Sequence, residues 1–139
     1  MSTAWYVNTN EKYCDDGCID NMLKASVVCA YGDAMTDINP IRIGDMIFLY
    51  QNRTGVVSIG IALTTATNAQ HIDGVDEQWW EGETRALKVT WLDKVNVTPE
   101  NPISIESLKE FWKNPFFNKT CIRMDIDYKK LFKTLSDRL

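Results

Sequence analysis

The chain has 139 residues, 45% of them hydrophobic, and a net charge of −4, which is enough apolar material for one real core and excludes a disordered polymer. No run approaches the ~20 apolar residues of a membrane span, and the first residues lack the basic and apolar regions of an export signal, so a cytoplasmic protein without membrane contact is expected. Positive charge gathers late: residues 101–139 hold eight basic and five acidic groups, against three and seven over 61–100, which excludes a broad basic face for duplex nucleic acid.

Ala4–Val7 predicts a short strand, followed by a polar, turn-rich run from Asn8 to Asp16. Ile19, Met22, Leu23 and Val27 fall at helical spacing and predict a helix over Ile19–Ala30, with Asp15 or Asp16 as its cap. Tyr31–Pro40 reads as a loop. A Gly44-Asp45 turn then launches a buried strand, Met46–Tyr50. A hairpin loop at Gln51–Gly55 and a second strand, Val56–Thr64, follow.

Thr65–Glu83 is a long polar loop with Trp79-Trp80 near its end, and long loops in small domains tend to carry function. Leu87, Val89, Trp91, Val95 and Val97 occupy alternate positions and predict a strand over Arg85–Val97, long enough to need a bend or bulge. Ser104 is placed to cap a helix carrying Ile105, Leu108, Phe111 and Trp112, stopped by Asn114-Pro115. Cys121–Ile126 predicts a last strand. Asp127 caps a final helix with Tyr128, Leu131, Phe132 and Leu135 on one apolar face. Trp5, Trp91 and Trp112 lie on periodic apolar faces and are expected in the core. Residues 1–139 read as one mixed α/β domain.

The four cysteines, Cys14, Cys18, Cys29 and Cys121, lack the two close pairs of a structural zinc site, and His71 is the only histidine. No metal, no cofactor and no cysteine–histidine catalysis are expected, and the thiols are expected reduced.

In their order, Trp5-Tyr6-Val7-Asn8, Gly44-Asp45 through Tyr50, Ile59-Gly60, Lys88-Val89-Thr90-Trp91 and Pro102-Ile103-Ser104 resemble the EVE and YTH domains of the PUA-like superfamily. The stretch between Gly17 and Pro40 departs most from that family's Gly- and Trp-rich wording. The resemblance implies an α+β fold, a small PUA-like mixed β-barrel of about five to six strands flanked by short helices. It also implies a single EVE-type domain that holds one modified base in a pocket.

Such a base presents two π-faces and a polar edge, so aromatic walls and amide groups suit it. On that resemblance Trp79, Trp80 and Tyr31 are the candidate walls, and Asn8 and Asn10 the candidate readers of the edge. Ser58 either faces the pocket floor or merely alternates with Val57 and Ile59. Arg53, Arg85, Lys129 and Lys130 are the candidate phosphate contacts.

The function expected is that of a nucleic-acid-binding module and not an enzyme. It would recognise a flipped-out modified cytosine or adenine in DNA, as a monomer, within a modification-dependent restriction or defence system whose nuclease is fused or separate. The alternatives are an ASCH-like amidohydrolase acting on modified nucleosides and a protein-interaction module suggested by the acidic first two thirds.

Overall fold

Two nearly continuous apolar runs, Ala4–Val7 and Met46–Tyr50, set the sheet. The computed structural model describes residues 3–9, 18–31, 36–68, 84–115, 117 and 120–139. Strand β1 (Ala4–Thr9) lies parallel to β3 (Met46–Gln51), with Ala4 opposite Met46 and Asn8 opposite Tyr50. Successive side chains point to opposite faces. Val7, Ile47 and Leu49 therefore join one buried cluster, while Ala4, Tyr6, Phe48 and Tyr50 join another. With both faces covered, these strands read as nearly continuous apolar runs instead of clean alternations.

The remaining elements are α1 (Cys18–Ala25), β2 (Val27–Tyr31), β4 (Gly55–Ala62), β5 (Thr67–Asn68), β6 (Thr84–Trp91), α2 (Ile105–Phe111), β7 (Cys121–Met124) and α3 (Tyr128–Ser136). The seven-stranded sheet runs β2-β6-β4-β3-β1-β7, with β5 also paired to β6. It is mixed and curls into a half-barrel, so the fold is α+β. The curl lets Val28 of edge strand β2 and Cys121 of edge strand β7 share the inner core with Ile19 and Met22 of α1. The outer core lies under the other two helices, where Leu108, Phe111 and Leu131 meet Tyr6, Phe48 and Ile59.

Local chemistry placed two of the expected caps, while Asp15 and Asp16, expected to cap the first helix, lie outside the described residues. The Ser104 side chain accepts from the Ser107 N–H and the Asp127 side chain from the Lys130 N–H. Three predicted boundaries need correction. The helix expected through Ala30 stops at Ala25, Ser26 turns the chain at φ 57°, and Val27–Tyr31 becomes a strand paired with β6. Val27 and Val28 are β-branched and suit that strand better than a helix. The strand expected to run to Val97 ends at Trp91 and gives way to a 3-10 turn at Asp93–Val95. Strand β7 ends at Met124, and Ile126 instead bridges to Trp112. The loop expected at Thr65–Glu83 contributes β5, and residues 36–38 form a short 3-10 turn.

The Gly44-Asp45 turn does more than start β3. The buried Asp45 carboxylate accepts from the Thr3 N–H at 3.0 Å, the Trp5 indole N–H at 2.9 Å and the Arg42 N–H at 2.9 Å. It thereby ties the start of β1 to the start of β3. Burial opposes its charge, but the three donors and the nearby Arg42 outweigh that and hold its pKa below the ordinary carboxylate value.

A lowered folded pKa contributes stability that is fully present above the unfolded value, about 3.9, and is lost as pH falls through the folded one. Thermal melting of the native chain should therefore drop more steeply below about pH 4 than that of Asp45→Asn. Parallel curves would show that the carboxylate is not held charged in the fold.

Candidate nucleic-acid interface

Asn8 sits near the end of β1, where its N–H donates to the Thr120 carbonyl at 2.7 Å. Strand alternation puts its side chain on the outer face with Tyr6, beside Tyr50. There the rings gather closely. Tyr6 lies 5.1 Å from Tyr50, 5.2 Å from Trp112 and 5.5 Å from Phe117 between ring centroids, and Phe117 meets Trp112 edge-on at 5.3 Å. Lys109 Nζ stands 6.0 Å from the Phe117 ring centre.

Within this group the Tyr6 hydroxyl and Asn8 Oδ1 are buried and make no hydrogen bond among the described residues. Burial, reinforced by Tyr50, pushes the Tyr6 phenol far above its ordinary pKa, and burial followed by Glu106 raises that of Tyr50. Both phenols are therefore neutral hydrogen-bonding groups at physiological pH. Tyr6 is fully buried, whereas Asn8 is half-buried as a residue although its Oδ1 is enclosed.

Ser58 does not join Asn8. A bulge between Leu49 and Tyr50 pairs Tyr50 with Val56 and Leu49 with Ser58, leaving Val57 as the extra residue. Ser58 is thus buried opposite Leu49, on the inner face, and the simple alternation with Val57 and Ile59 is broken. Tyr31 closes β2 opposite Thr84 at the start of β6, with three strands between β2 and β1 in the sheet order. Its side chain lies outside the described residues, as do Asn10, Trp79 and Trp80.

The cationic candidates are dispersed. Arg85 spends its guanidinium on the fold, donating to Asn39 Oδ1 at 2.8 Å and the Ala66 carbonyl at 2.9 Å. Arg53 is exposed at the hairpin tip with φ 67°. Lys129 and Lys130 are exposed in the first turn of α3. Lys130 also lines a groove of about 390 Å³ with Glu110, Lys133, Thr134 and Asp137.

Sequence reasoning missed the Tyr6–Tyr50–Trp112–Phe117 cluster, because only the parallel β1–β3 register makes neighbours of the two tyrosines. The tryptophans divide. Trp112 is fully buried as expected, whereas Trp5 and Trp91 are half-buried against the inner core, with the Trp91 indole N–H donating to the Met22 carbonyl at 3.2 Å. Cys29 and Cys121 are buried, and burial followed by Asp37 pushes the Cys121 thiol up to about 12, too high for a reactive thiolate. Among the described residues no His, Cys, Asp or Glu cluster is placed to hold a metal, and no helix is long and apolar enough to cross a membrane.

No family model matches the sequence, and no curated protein does. Solved structures do match. A protein from Leishmania major superposes with a TM-score of 0.63 at 12% identity, over 99% of this chain and 97% of that one. The ASCH protein from Zymomonas mobilis gives 0.57 at 14%, over 96% and 94%. The Pho92 YTH domain, solved in complex with m6A, gives 0.57 at 11%, over 99% and 86%. The chain has the fold shared by ASCH and YTH domains. That is the α+β class expected from the sequence, with seven strands among the described residues in place of five to six.

Proposed function

We propose that the chain is a nucleic-acid-binding module that recognises a modified nucleobase. The observation that carries this reading is the likeness, over nearly its whole length, to a YTH domain in complex with m6A. The chemistry of the outer face is compatible with it. Asn8 offers an unsatisfied acceptor beside an aromatic cluster, and leaving such a buried atom unpaired costs about 1–3 kcal/mol, so a partner there is favoured. The EVE-type resemblance suggests a specificity role in a modification-dependent restriction or defence system, with cutting by a fused or separate nuclease.

Titration against paired oligonucleotides, DNA and RNA, with and without a methylated adenine or modified cytosine, tests this reading. The modified strand should bind more tightly by roughly 0.8 kcal/mol for each buried carbon of the mark, because the stacking of about 1–3 kcal/mol per base is common to both strands. Trp79→Ala or Trp80→Ala should remove the preference and spare the fold. Equal affinity across every pair would exclude base reading.

A second reading, hydrolysis of modified nucleosides, is favoured by the equal likeness to the Zymomonas ASCH protein. Chromatography of modified nucleosides after incubation separates the two, because a binding module leaves them intact.

A further inference from the structure

Helix α3 was expected to bury an apolar face made of Tyr128, Leu131, Phe132 and Leu135. Only half of it is buried. Leu131 is fully enclosed and Leu135 partly so, but Tyr128 is 41% and Phe132 59% exposed. The two rings, one helical turn apart, touch each other with centroids at 6.2 Å, so they form one continuous outward platform.

Lys129 and Lys133, also one turn apart, border this platform on the neighbouring row of the helix. Lys129 and Lys130 occupy the first turn, which carries no acidic residue. The helix dipole disfavours cations there, so their position does not serve helix stability. Nor are these charges in an ion pair among the described residues. The Asp127 carboxylate is engaged in capping, and the ion pair found among the described residues joins Lys113 to Asp125 at 3.8 Å, not any lysine of α3. Glu110 and Asp137 share a groove with Lys130 and Lys133 on the far side. They disfavour an anion inside the groove, so a strand lying beside the rings meets Lys129 away from these carboxylates and Lys133 at the rim of the groove.

Exposed rings beside unpaired cations match one ligand chemistry, a polyanion whose flat apolar faces are accessible. We infer that α3 is a second contact for single-stranded nucleic acid, in which unpaired bases stack on Tyr128 and Phe132 while Lys129 and Lys133 hold the adjoining phosphates. It rests on the nucleic-acid reading above but not on the identity of the modified base. A duplex hides its base faces, so the contact favours single strands.

The test uses the whole chain and an unmodified oligonucleotide of ~12 nucleotides, as a single strand and as a duplex. Tyr128→Ala with Phe132→Ala should weaken single-strand binding by about thirtyfold or more, leave duplex binding unchanged, and keep the salt slope. Lys129→Gln with Lys133→Gln should make the slope of log affinity against log salt shallower by about 1.4. Phe132→Trp, which keeps an exposed ring, should retain affinity, and the single strand should quench its fluorescence by more than it quenches that of the native chain with its five tryptophans.

Unchanged single-strand affinity in the double alanine variant, or no greater quenching of Phe132→Trp than of the native chain, overturns the inference. So does a wild-type dimer that becomes monomeric in that variant, which would show the rings covering a second copy. The ratio of modified to unmodified binding reads the base pocket separately. A lost ratio with the α3 effects intact removes base recognition alone, and the converse removes only this contact.

Discussion

Trp112→Ala is expected to lower the stability of the domain by about 3–5 kcal/mol, the range for deleting a large buried aromatic. Trp112 is 1% exposed and closes the outer core where α2 ends. Its ring packs against Tyr6 and Phe117, and its backbone bridges to Ile126 just before α3. Truncation therefore opens a cavity between the sheet and both helices. It also removes a wall of the aromatic cluster beside Asn8. Trp91→Ala should cost less, since Trp91 is only half-buried. Urea unfolding of the two variants measures the difference. A loss below about 1 kcal/mol for Trp112→Ala would mean that the cluster repacks freely and has no fixed shape.

Gly55→Ala is the second change with a large expected effect. Gly55 opens β4 at φ +122°, a conformation that only glycine adopts without strain. A methyl group there would collide with the Ile103 carbonyl oxygen, a backbone atom that cannot swing aside. That carbonyl accepts from the Val56 N–H at 2.9 Å, and the Ile103 N–H donates back to Val56 at 2.9 Å. The substitution would therefore strain the turn and part β4 from the segment that leads into α2. Strain and overpacking together put the cost at about 3 kcal/mol or more. A melting temperature within a few degrees of the native chain would show that the hairpin relaxes without breaking this bridge.

What the sequence revealed and what it hid follow from the range of the forces involved. The Gly44-Asp45 turn, the hairpin and the caps Ser104 and Asp127 were legible because each is decided by neighbours along the chain. Strand β2 was misread because Ile19 to Val27 satisfies helical spacing, while the strand that claims Val27–Tyr31 lies far away in β6. The inner position of Ser58 depends on a bulge, which leaves no mark in apolar periodicity. The outer placement of Asn8 follows from alternation, yet its unsatisfied oxygen and the rings around it appear only once β1 lies on β3. On α3 the spacing gave the apolar face correctly and said nothing about which half a neighbour would cover. Of the proposed base-binding residues, Asn8 and Ser58 have described side chains, and these lie on opposite faces of the sheet.

The placement of β1 has a kinetic consequence. Strand β1 is near the start of the chain, yet it is an interior strand, flanked by β3 on one side and by β7, close to the other end, on the other. Residue 4 pairs with residue 124, so the sheet is completed only when nearly the full length of chain has been gathered. Such long closures cost entropy before they return any contact energy, which slows the search and pushes it toward the slow end for domains of this size. During synthesis β1 can meet β3 early, but one of its edges stays open until β7 emerges. An unpaired strand edge of that kind is a template for pairing with other chains, so the interval before β7 docks is when the domain is most exposed to misassembly.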